Sequence, residues 1–373
     1  MIGVSLAMAM LSVTGSAKPT IIFSAKRFEQ HLDKVYSLGP AHLYSMGVDG
    51  RGVRQITTGP GFDVCPEMSL DGKRVLFWRC KGEIYQWTES AKVELCSIDP
   101  DGSNLRDLHR VMLGYPRLGL ARAFEHYGPD VLRSSGNDNA VVVHDLRNRW
   151  TLTVMQPLFS ADCKHLIGYH YDDGHKYSLD TNAILIDLES GRVTVLGPKY
   201  WVPLWIDNRS IFATVGNLTA RDAPSIFVVL DTRGRETVRR DYSRKEHEAP
   251  ESNRPFDDDF GIPRRRRSFS IGKPGLIVVQ SHFSMSDGGY DSSFEIDMRN
   301  GTFKELPLGA LEGVSGDGSR ILGSDTAWVG GYKGMGAWKL CKMFLWDTRK
   351  ETSTQVGFRH SLLFGACFVP EGR

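Results

Sequence analysis

The sequence predicts an all-β fold, and three observations lead to this prediction. An Asp-Gly turn separates two apolar runs in the stretch PEMSLDGKRVLFWRC, which begins at Pro66. Such a turn is a strong hairpin signal, because glycine reaches positive φ without steric cost. Related stretches begin at Pro157, Pro203 and Val314, so the pattern recurs along the chain. A second type of hairpin repeat lies between these copies. The chain is therefore a succession of strand–turn–strand units.

The second repeat predicts how many units there are. Its clearest copies are LYSMGVDGRGVRQIT, from Leu43, and LCSIDPDGSNLRDLH, from Leu95. A period of roughly 40–50 residues with four short strands is typical of a β-propeller blade. We therefore predict a propeller of seven four-stranded antiparallel blades, with six as the alternative because the inner strand of the third blade matches poorly. The turns of the second repeat are centred at Asp49, Asp101, Arg147, Ser190, Arg233, Asn300 and Arg349.

The two ends of the chain are expected to complete one blade together. The segment PTIIFSAKRF, from Pro19, supplies a strand with no turn before it, and LLFGACFVPEGR, from Leu362, supplies a strand with nothing after it. Joined, they complete the first blade, with the C-terminal strand innermost. Because this pairing removes an exposed sheet edge, we expect the C-terminal strand to close the ring of blades.

The two clearest repeat copies carry a family resemblance. Over roughly residues 43–110 they resemble the repeats of TolB-like propellers, which are also described as PD40 or WD40-like repeats. The resemblance implies the propeller fold. Members of this family include periplasmic binding proteins, propeller domains of peptidases and some polysaccharide lyases, so the resemblance implies no single activity.

Composition agrees with a repeat protein and excludes some functions. The 373 residues include 39 glycines, and 41% of the residues are hydrophobic, which suits many strands and turns around an ordinary core. The formal net charge of +2 gives no sign of a nucleic-acid partner. After the N-terminus, no apolar stretch approaches the roughly 18 residues needed to span a membrane. We expect a monomer.

The N-terminus, MIGVSLAMAMLSVTGSA, is a short apolar run that ends in small residues. This pattern favours a signal peptide over residues 1–17, although the basic segment that normally precedes the apolar run is missing. The alternative is an extra buried strand or helix. With a signal peptide, residues 18–373 form a single exported propeller, in the periplasm or outside the cell.

The cysteines leave two possibilities open. Cys80 and Cys96 lie on the flanking strands of one predicted hairpin, so an oxidising compartment would allow a disulfide between them. The alternative is that all six cysteines are buried small hydrophobic residues. Their spacing does not match a zinc site.

The connections between strands indicate where a binding site would lie. With the strands of a blade lettered a to d from the axis outward, the a–b and c–d turns are tight and most b–c connections are long, including RCKGEIYQWTESAKV, HYDDGHKYSLDTN and SHFSMSDGGYDS. Functional residues concentrate on loops that a rigid scaffold holds in place. The sequence therefore places the site on the loop-rich b–c face, around the central channel.

The b–c connections contain one cluster of metal-ligand type. His170 and His175 flank Asp172 and Asp173, and His282 lies near the end of a later b strand. Imidazoles and carboxylates in this arrangement could bind a divalent cation or act as acid and base. The alternative is an ordinary polar hairpin loop with solvated histidines.

Exposed aromatic residues form a second candidate set, because they suit stacking on sugars or anchoring of a peptide. The alternative is that they pack on one another and cover the ends of the blades. The residues are Tyr85, Trp87, Tyr200, Trp201, Trp328, Tyr332 and Trp338.

The longest insertion, residues 241–267, is rich in proline and charge and poor in apolar residues, so we expect it to be mobile. As a long loop on the b–c face it could act as a lid or a partner arm. Its basic run, Arg264 to Arg267, lies beside an acidic run, Asp257 to Asp259, and is weak support for nucleic-acid binding.

Two functions are consistent with these features. The chain contains no Gly-x-Ser-x-Gly elbow and no phosphate-binding loop, which argues against an attached hydrolase or nucleotide-dependent enzyme. The sequence favours an exported, non-enzymatic scaffold that holds a protein, peptide or glycan on its loop-rich face. The alternative is a metal-assisted lyase acting on acidic saccharides, with a divalent cation held by His170, His175 and His282.

Overall fold

The computed structural model describes residues 20–31, 34–37, 39–81, 92–114, 116, 119–135, 140–170, 182–197, 200–215, 225–242, 268–270, 276–285, 288–300, 302–315, 317–324 and 341–370. In parts of these ranges, such as 28–31, 34–37 and 281–285, only the backbone is described. The predicted signal peptide, residues 1–17, lies outside them.

Six four-stranded antiparallel blades account for most of the described residues. From the inside outward, blade 1 contains β26 (Thr352–Val369), β1 (Thr20–His31), β3 (His42–Gly47) and β4 (Arg54–Gln55), and β2 (Lys34–Ser37) pairs with the end of β1. Blade 2 contains β5 (Phe62–Met68), β6 (Val75–Cys80), β7 (Lys92–Ile98) and β8 (Arg106–Leu113). Blade 3 contains β11 (Trp150–Phe159), β12 (His165–His170), β13 (Asn182–Asp187) and β14 (Arg192–Gly197).

The remaining blades follow the same order. Blade 4 contains β15 (Tyr200–Trp205), β16 (Ser210–Val215), β17 (Ser225–Asp231) and β18 (Glu236–Tyr242). Blade 5 contains β19 (Ser268–Ser270), β20 (Leu276–Met285), β21 (Gly288–Asp297) and β22 (Thr302–Leu306). Blade 6 contains β23 (Leu311–Val314), β24 (Arg320–Ser324), β25 (Cys341–Asp347) and the first part of β26.

The predicted number of seven four-stranded blades is wrong, because the unit between blades 2 and 3 has no inner strand among its described residues. This partial blade has only β9 (Leu132–Ser134), β10 (Ala140–Asp145) and the first part of β11. The helix α1 (Leu120–His126) precedes these strands. Its sequence, LARAFEH, consists mostly of good helix formers, and its apolar side is buried. No helix in the described ranges is long and apolar enough to cross a membrane.

Strands β11 and β26 each belong to two neighbouring units. The first part of β26 pairs with β25, and its last part, from Ser361 onward, pairs with β1 in the register Thr20↔Val369. The C-terminal strand therefore lies beside the N-terminal strand, in the innermost position predicted for the first blade. In the same way β11 pairs first with β10 and, after a bulge, with β12.

The Asp-Gly repeats form tight turns in which a serine and an aspartate interact. Ser69 Oγ donates to Asp71 Oδ1 (2.6 Å), and the same carboxylate oxygen accepts from the backbone N–H of Lys73 (3.0 Å). Gly72 has a φ of 69°, as the turn requires. Ser315 and Asp317 repeat this arrangement, and these hydrogen bonds lower the pKa of Asp317 to about 2. The sequence motif therefore specifies a turn, in which Asp71 Oδ1 is occupied by two hydrogen bonds.

Neighbouring units are joined by apolar layers and, at the outer turns, by basic side chains. Between blades 1 and 2, for example, Ile22 and Leu43 pack with Val75 and Phe77. A basic residue of an outer strand or turn in one unit repeatedly contacts the next unit, in most cases at its outer turn. These contacts run from Arg54 to Asp101 O (2.8 Å), Arg110 to Tyr127 O (2.6 Å), Arg147 to Glu189 O (2.8 Å), Arg192 to Thr232 O (3.3 Å), Arg240 to Arg299 O (3.0 Å) and Lys304 to Glu351 Oε2 (2.7 Å).

The innermost strands of blades 6, 1 and 2 approach one another closely at two glycines. A Cβ atom on Gly313 of β23 would lie 2.6 Å from the carbonyl oxygen of Ala366 in β26. A Cβ atom on Gly365 of β26 would lie 3.2 Å from the Cα atom of Cys65 in β5, and Gly365 has a φ of 105°. Because both obstacles are backbone atoms, the strands themselves must move to accept a side chain.

We expect the substitution Gly313→Ala to lower the free energy of unfolding by about 1–3 kcal/mol, since the added methyl group forces β23 and β26 apart. Urea unfolding followed by circular dichroism measures this change. Gly128→Ala is the matched control, because no heavy atom lies within 4 Å of its added Cβ and its φ is not positive. Equal stability of the two variants would contradict the close approach.

Candidate functional site

The two ends of the blades differ in how their strands are connected. At one end, which we call the turn face, the a–b and c–d connections are tight turns such as Ser69 to Arg74 and Asp99 to Ser103. At the other end, the loop face, strand b is joined to strand c by long segments. These run between Cys80 and Lys92, His170 and Asn182, Val215 and Ser225, and Ser324 and Cys341. The length asymmetry predicted from the sequence is thus present.

Two of the predicted loops on this face are instead β-hairpins. The segment after Ala25 continues as β1 and returns as β2, with the register Phe28↔Ser37. The segment SHFSMSDGGYDS extends the ladder of β20 and β21 as far as the pair Met285↔Gly288. Sequence reasoning missed these hairpins because their composition is polar, whereas the pairing follows from continuation of the neighbouring strands. The hairpins rise from blades 1 and 5, which flank blade 6 on either side.

The predicted aromatic set is only partly described. Tyr200 was expected to be exposed, but it lies in β15 with 5% of its surface accessible, and its hydroxyl donates to Glu236 Oε1 (2.8 Å). It is therefore a core residue rather than a ligand contact. For Trp201 only the backbone, in β15, is described. Outside the described residues lie Tyr85, Trp87, Trp328, Tyr332 and Trp338.

The predicted histidine cluster is likewise divided. His170 ends β12 in blade 3, and its Nδ1 lies 3.2 Å from the carbonyl oxygen of Thr153. His282 belongs to β20 in blade 5, opposite Asp291, and only its backbone is described. His175 lies outside the described residues. Blade 4 separates the two described positions, and no group of His, Cys, Asp and Glu in the described ranges is suited to hold a metal ion.

The charged insertion, predicted over residues 241–267, begins inside a strand. Asp241 and Tyr242 are the last residues of β18, where they pair with Ile226 and Ser225. The rest of the insertion, up to residue 267, lies outside the described residues, and its proposed role as a lid or partner arm stays a prediction.

A buried ionic network lies between blades 1 and 2 at the loop face. Asp63, near the start of β5, has no accessible side-chain surface, and both of its oxygens accept from Arg79, at 2.6 Å from Nε and 2.9 Å from Nη2. His42 Nδ1 lies 3.9 Å from Asp63 Oδ2. Ser24 Oγ donates to the backbone oxygen of Asp63 (2.5 Å). The bidentate pair of Asp63 and Arg79 fixes both side chains in position.

An aromatic cluster with a cation lies at the junction of blades 6 and 1. Phe23 and Tyr44 stack with ring centroids 5.6 Å apart, and Phe358 meets Tyr44 edge-on at 4.8 Å. The guanidinium carbon of Arg27 lies 4.7 Å from the centre of the Phe358 ring. Burial raises the pKa of Tyr44, while the charge and hydrogen bond of Arg27 act in the opposite direction. Arg27 itself is exposed.

Sequence reasoning missed both groups for the same reason. Asp63, Arg79 and Arg27 are isolated charges within strands, and their partners are distant in sequence, 16 residues away in the case of Asp63 and Arg79. The sequence of β1 contained a signal for the second group, because Lys26 and Arg27 follow the mostly apolar stretch from Ile21 to Ala25. Which partner each residue meets depends on how the blades face one another.

A third polar group lies nearer the turn face and positions α1. The carboxylate of Glu67, at the end of β5, accepts from the backbone N–H of Gly119 (2.7 Å) and lies 3.3 Å from Arg122 Nε. Arg122 in turn donates to the carbonyl oxygen of Ala161 (3.0 Å) in the a–b turn of blade 3. Burial raises the pKa of Glu67 above its usual value of 4.5, although Arg122 and the backbone donors oppose this. The group thereby links blade 2, the helix and blade 3.

The turn face offers an open groove between the partial blade and blade 3. Its volume is about 460 Å³, and its walls include Tyr127, Leu146, Trp150 and Leu188. Leu146 is 66% exposed. Around it, Arg147 already donates to Glu189 O, and Trp150 Nε1 donates to Gly191 O (3.2 Å). Arg147 and Trp150 at this groove are therefore occupied by contacts between the two units.

Taken chemically, the described part of the loop face suits binding. It presents a guanidinium held against aromatic rings and a buried carboxylate already neutralised by Arg79. The Arg27 guanidinium can recognise an anionic or planar partner, because it provides donors in a fixed plane.

Comparison with known proteins finds similarity among solved structures only. No family model matches the chain, and no curated protein is significantly similar to it. The chain is similar to TolB from Acinetobacter baumannii, with 10% identity and a TM-score of 0.46 over 95% of this chain and 68% of that one. It is also similar to the tricorn protease, with 11% identity and a TM-score of 0.46 over 93% of this chain and 36% of that one. Puromycin hydrolase matches at 14% identity and a TM-score of 0.46, over 90% of this chain and 54% of that one. A TolB is thus among the similar structures, as the repeats predicted.

The structure excludes the disulfide that the sequence left open between Cys80 and Cys96. In the β6–β7 ladder Cys80 lies opposite Val93, and Cys96 lies opposite Phe77. The three-residue offset separates the two Cα atoms by about 10 Å along the strands, well beyond disulfide reach. Both are buried free cysteines, and burial raises the pKa of the Cys96 thiol to about 11.

We therefore expect Cys80 and Cys96 to be recovered as free thiols when the unreduced protein is mapped by mass spectrometry. In the native protein Cys96 should alkylate slowly at neutral pH, because the thiolate is the reactive form. Unfolding in urea is the control and should make the same thiol react quickly. A recovered Cys80–Cys96 linked peptide would contradict the observed register.

For Glu67 we predict a distinctive dependence of stability on pH. Because burial raises its pKa in the folded protein, the folded state binds the proton more tightly than the unfolded chain does. Its stabilising contribution is therefore present below pH 4.5 and is lost as pH rises through the folded pKa. Glu67→Gln does not lose this contribution. The free energy of unfolding of the variant should therefore increase relative to that of the wild type as pH rises.

Urea unfolding at a series of pH values measures that difference. Glu305→Gln removes an exposed carboxylate and serves as the control. The interpretation fails if the difference in free energy of unfolding between the wild type and Glu67→Gln is independent of pH. It also fails if the wild type becomes more stable relative to the variant as pH rises.

Proposed function

We propose that the chain is an exported, non-enzymatic binding propeller that holds a protein, peptide or glycan on its loop face. The observation that supports this most directly is the contrast between the two faces. The described turns of the turn face are tight and internally hydrogen-bonded, whereas at the loop face strands b and c are joined by long segments or by extended hairpins. Binding residues are usually carried by such segments on a rigid scaffold.

The use of charged residues supports the same face. On the turn face, basic side chains such as Arg54, Arg147 and Arg240 are occupied by contacts with the next unit. Groups that hold the blades together are poorly placed to bind a partner as well. On the loop face, by contrast, Arg27 is exposed and rests on an aromatic ring.

The proposal also concerns the scaffold and its location. We infer that the pairing of β1 with β26 closes a ring of blades, and this is supported by the register Thr20↔Val369 between the two ends of the chain. Export is supported by the apolar run of residues 1–17, which ends in small residues. A ring held by main-chain pairing gives the loop face a fixed base.

Site-specific photocrosslinking in the producing cell tests which face meets the partner. A photoreactive amino acid replaces Lys81 on the loop face in one variant and Lys164 on the turn face in another. The two positions are matched, since both lysines are exposed and each pairs with a glutamate, at 3.3 Å for Lys81 and 2.8 Å for Lys164. We expect a discrete adduct from position 81 and none from position 164.

An adduct from position 164 alone would contradict the proposal, as would the absence of any adduct from position 81. The loop-face residues Trp328, Tyr332 and Trp338, changed together to Ala, should reduce the adduct from position 81 about tenfold if these residues anchor the partner. An unchanged yield in a variant that melts like the wild type would remove them from the site.

A further inference from the structure

The loop-face ends of blades 6, 1 and 2 carry a surplus of positive charge among the described residues. The carboxylates there are Glu29, for which only the backbone is described, Asp63, Glu94 and Glu312; Asp63 and Glu312 are buried. The cations at the same end are more numerous. They are Lys26, Arg27, Arg79, Lys81, Lys92 and Lys342, together with Lys34 and Arg359, for which only the backbone is described. An excess of positive charge raises the local concentration of a negatively charged partner.

Arg27 is the cation in this sector that is best prepared to bind. Its guanidinium lies over the Phe358 ring and hydrogen-bonds to the Tyr44 hydroxyl, so its orientation is fixed before any ligand arrives. Within the described residues it forms no ion pair, whereas Arg79 in the same sector is neutralised by Asp63 and Lys81 by Glu94. A guanidinium held this way loses little side-chain entropy when it pairs with a carboxylate.

A strand edge beside Arg27 favours a peptide as the source of that carboxylate. The hairpin of β1 and β2 begins to pair at Phe28, one residue after Arg27. Strand β2 pairs with β1 on one side, and no described strand pairs with its other side. An open edge offers backbone N–H and C=O groups to an extended peptide, which a saccharide cannot use in the same way.

We propose that the junction of blades 6 and 1 on the loop face binds an extended acidic peptide segment. Arg27 pairs with a carboxylate side chain, and the open edge of β2 hydrogen-bonds to the peptide backbone. This inference rests on the proposed function, because it names the class of partner held by the same face.

Isothermal titration of the purified full chain with an oligoglutamate peptide tests the inference directly. We expect binding that weakens as salt is raised, since the attraction is electrostatic. Arg27→Gln should weaken binding about tenfold, which is the loss typical of a central charged anchor. Arg27→Lys keeps the charge but loses the fork of donors, and should weaken binding about threefold. Arg233→Gln is the matched control, because it removes an exposed arginine from the turn face and should bind as the wild type does.

Each outcome decides the matter. Thermal melting identifies variants that fold, and if Arg27→Gln does not fold, the comparison rests on Arg27→Lys. The inference is overturned if the wild type does not bind oligoglutamate, if the folded Arg27 variants bind it as tightly as the wild type, or if Arg233→Gln weakens binding equally. Binding of oligogalacturonate without binding of the peptide would overturn the assignment to peptides. In these cases a crosslink from position 81 would still support a partner on the loop face, so the two proposals fail separately.

Discussion

The rest of the structure depends on strand β26, because it belongs to two blades at once. Its first part is the outer strand of blade 6, and its last part is the inner strand of blade 1, beside the N-terminal β1. It also lies against the inner strands of the neighbouring blades at Gly313 and Gly365, where no side chain fits without movement of backbone atoms. The two ends of the chain are therefore held in one sheet. Every group at the junction of blades 6 and 1, including Phe358 and Arg27, takes its position from that sheet.

The two faces of the molecule use charge differently. On the turn face, aspartates accept hydrogen bonds within their own turns, and basic residues contact the next unit, as Arg147 does with Glu189 O. These pairs are exposed, so each contributes little stability alone, but together they repeat from unit to unit. The charges on the loop face include a buried bidentate pair, Asp63 and Arg79, and a guanidinium exposed on an aromatic ring, that of Arg27. The second arrangement leaves donors available to a partner.

The irregular unit between blades 2 and 3 shows how a propeller accommodates a missing strand. Helix α1 occupies the stretch before β9, and its Phe124 meets Trp78 of blade 2 edge-on, with ring centroids 5.5 Å apart. Glu67 supplies an acceptor for the N–H of Gly119 at the start of the helix, where four backbone N–H groups lack partners within the helix. Blade 2 therefore positions the helix, and Arg122 carries the contact on to blade 3.

The blades and turns could be predicted from the sequence, because their causes are local. Alternating apolar residues and an Asp-Gly pair decide a hairpin within about ten residues, so four-stranded blades, tight turns and the partnership of the two chain ends were all predictable. The number of blades was not predictable in the same way. The segment LARAFEH forms α1, which packs on Trp78 and is held by Glu67, and both of these partners are more than 40 residues away in the sequence. Tyr200, expected on the surface, is buried. Its hydrogen-bond partner Glu236 is 36 residues away, so this contact too depends on tertiary structure.

The sequence by itself determined the repeated strand–turn–strand units and the contrast between short and long connections. Only the tertiary structure decided which charges meet. Phe358 is separated from Arg27 and Tyr44 by most of the chain, and it meets them because β26 returns to pair with β1. The alternation of apolar and polar residues indicates which side of its own strand a residue occupies. A site between blades depends instead on the registers of several sheets at once. That is why the sequence indicated the face on which binding is proposed and did not identify Arg27.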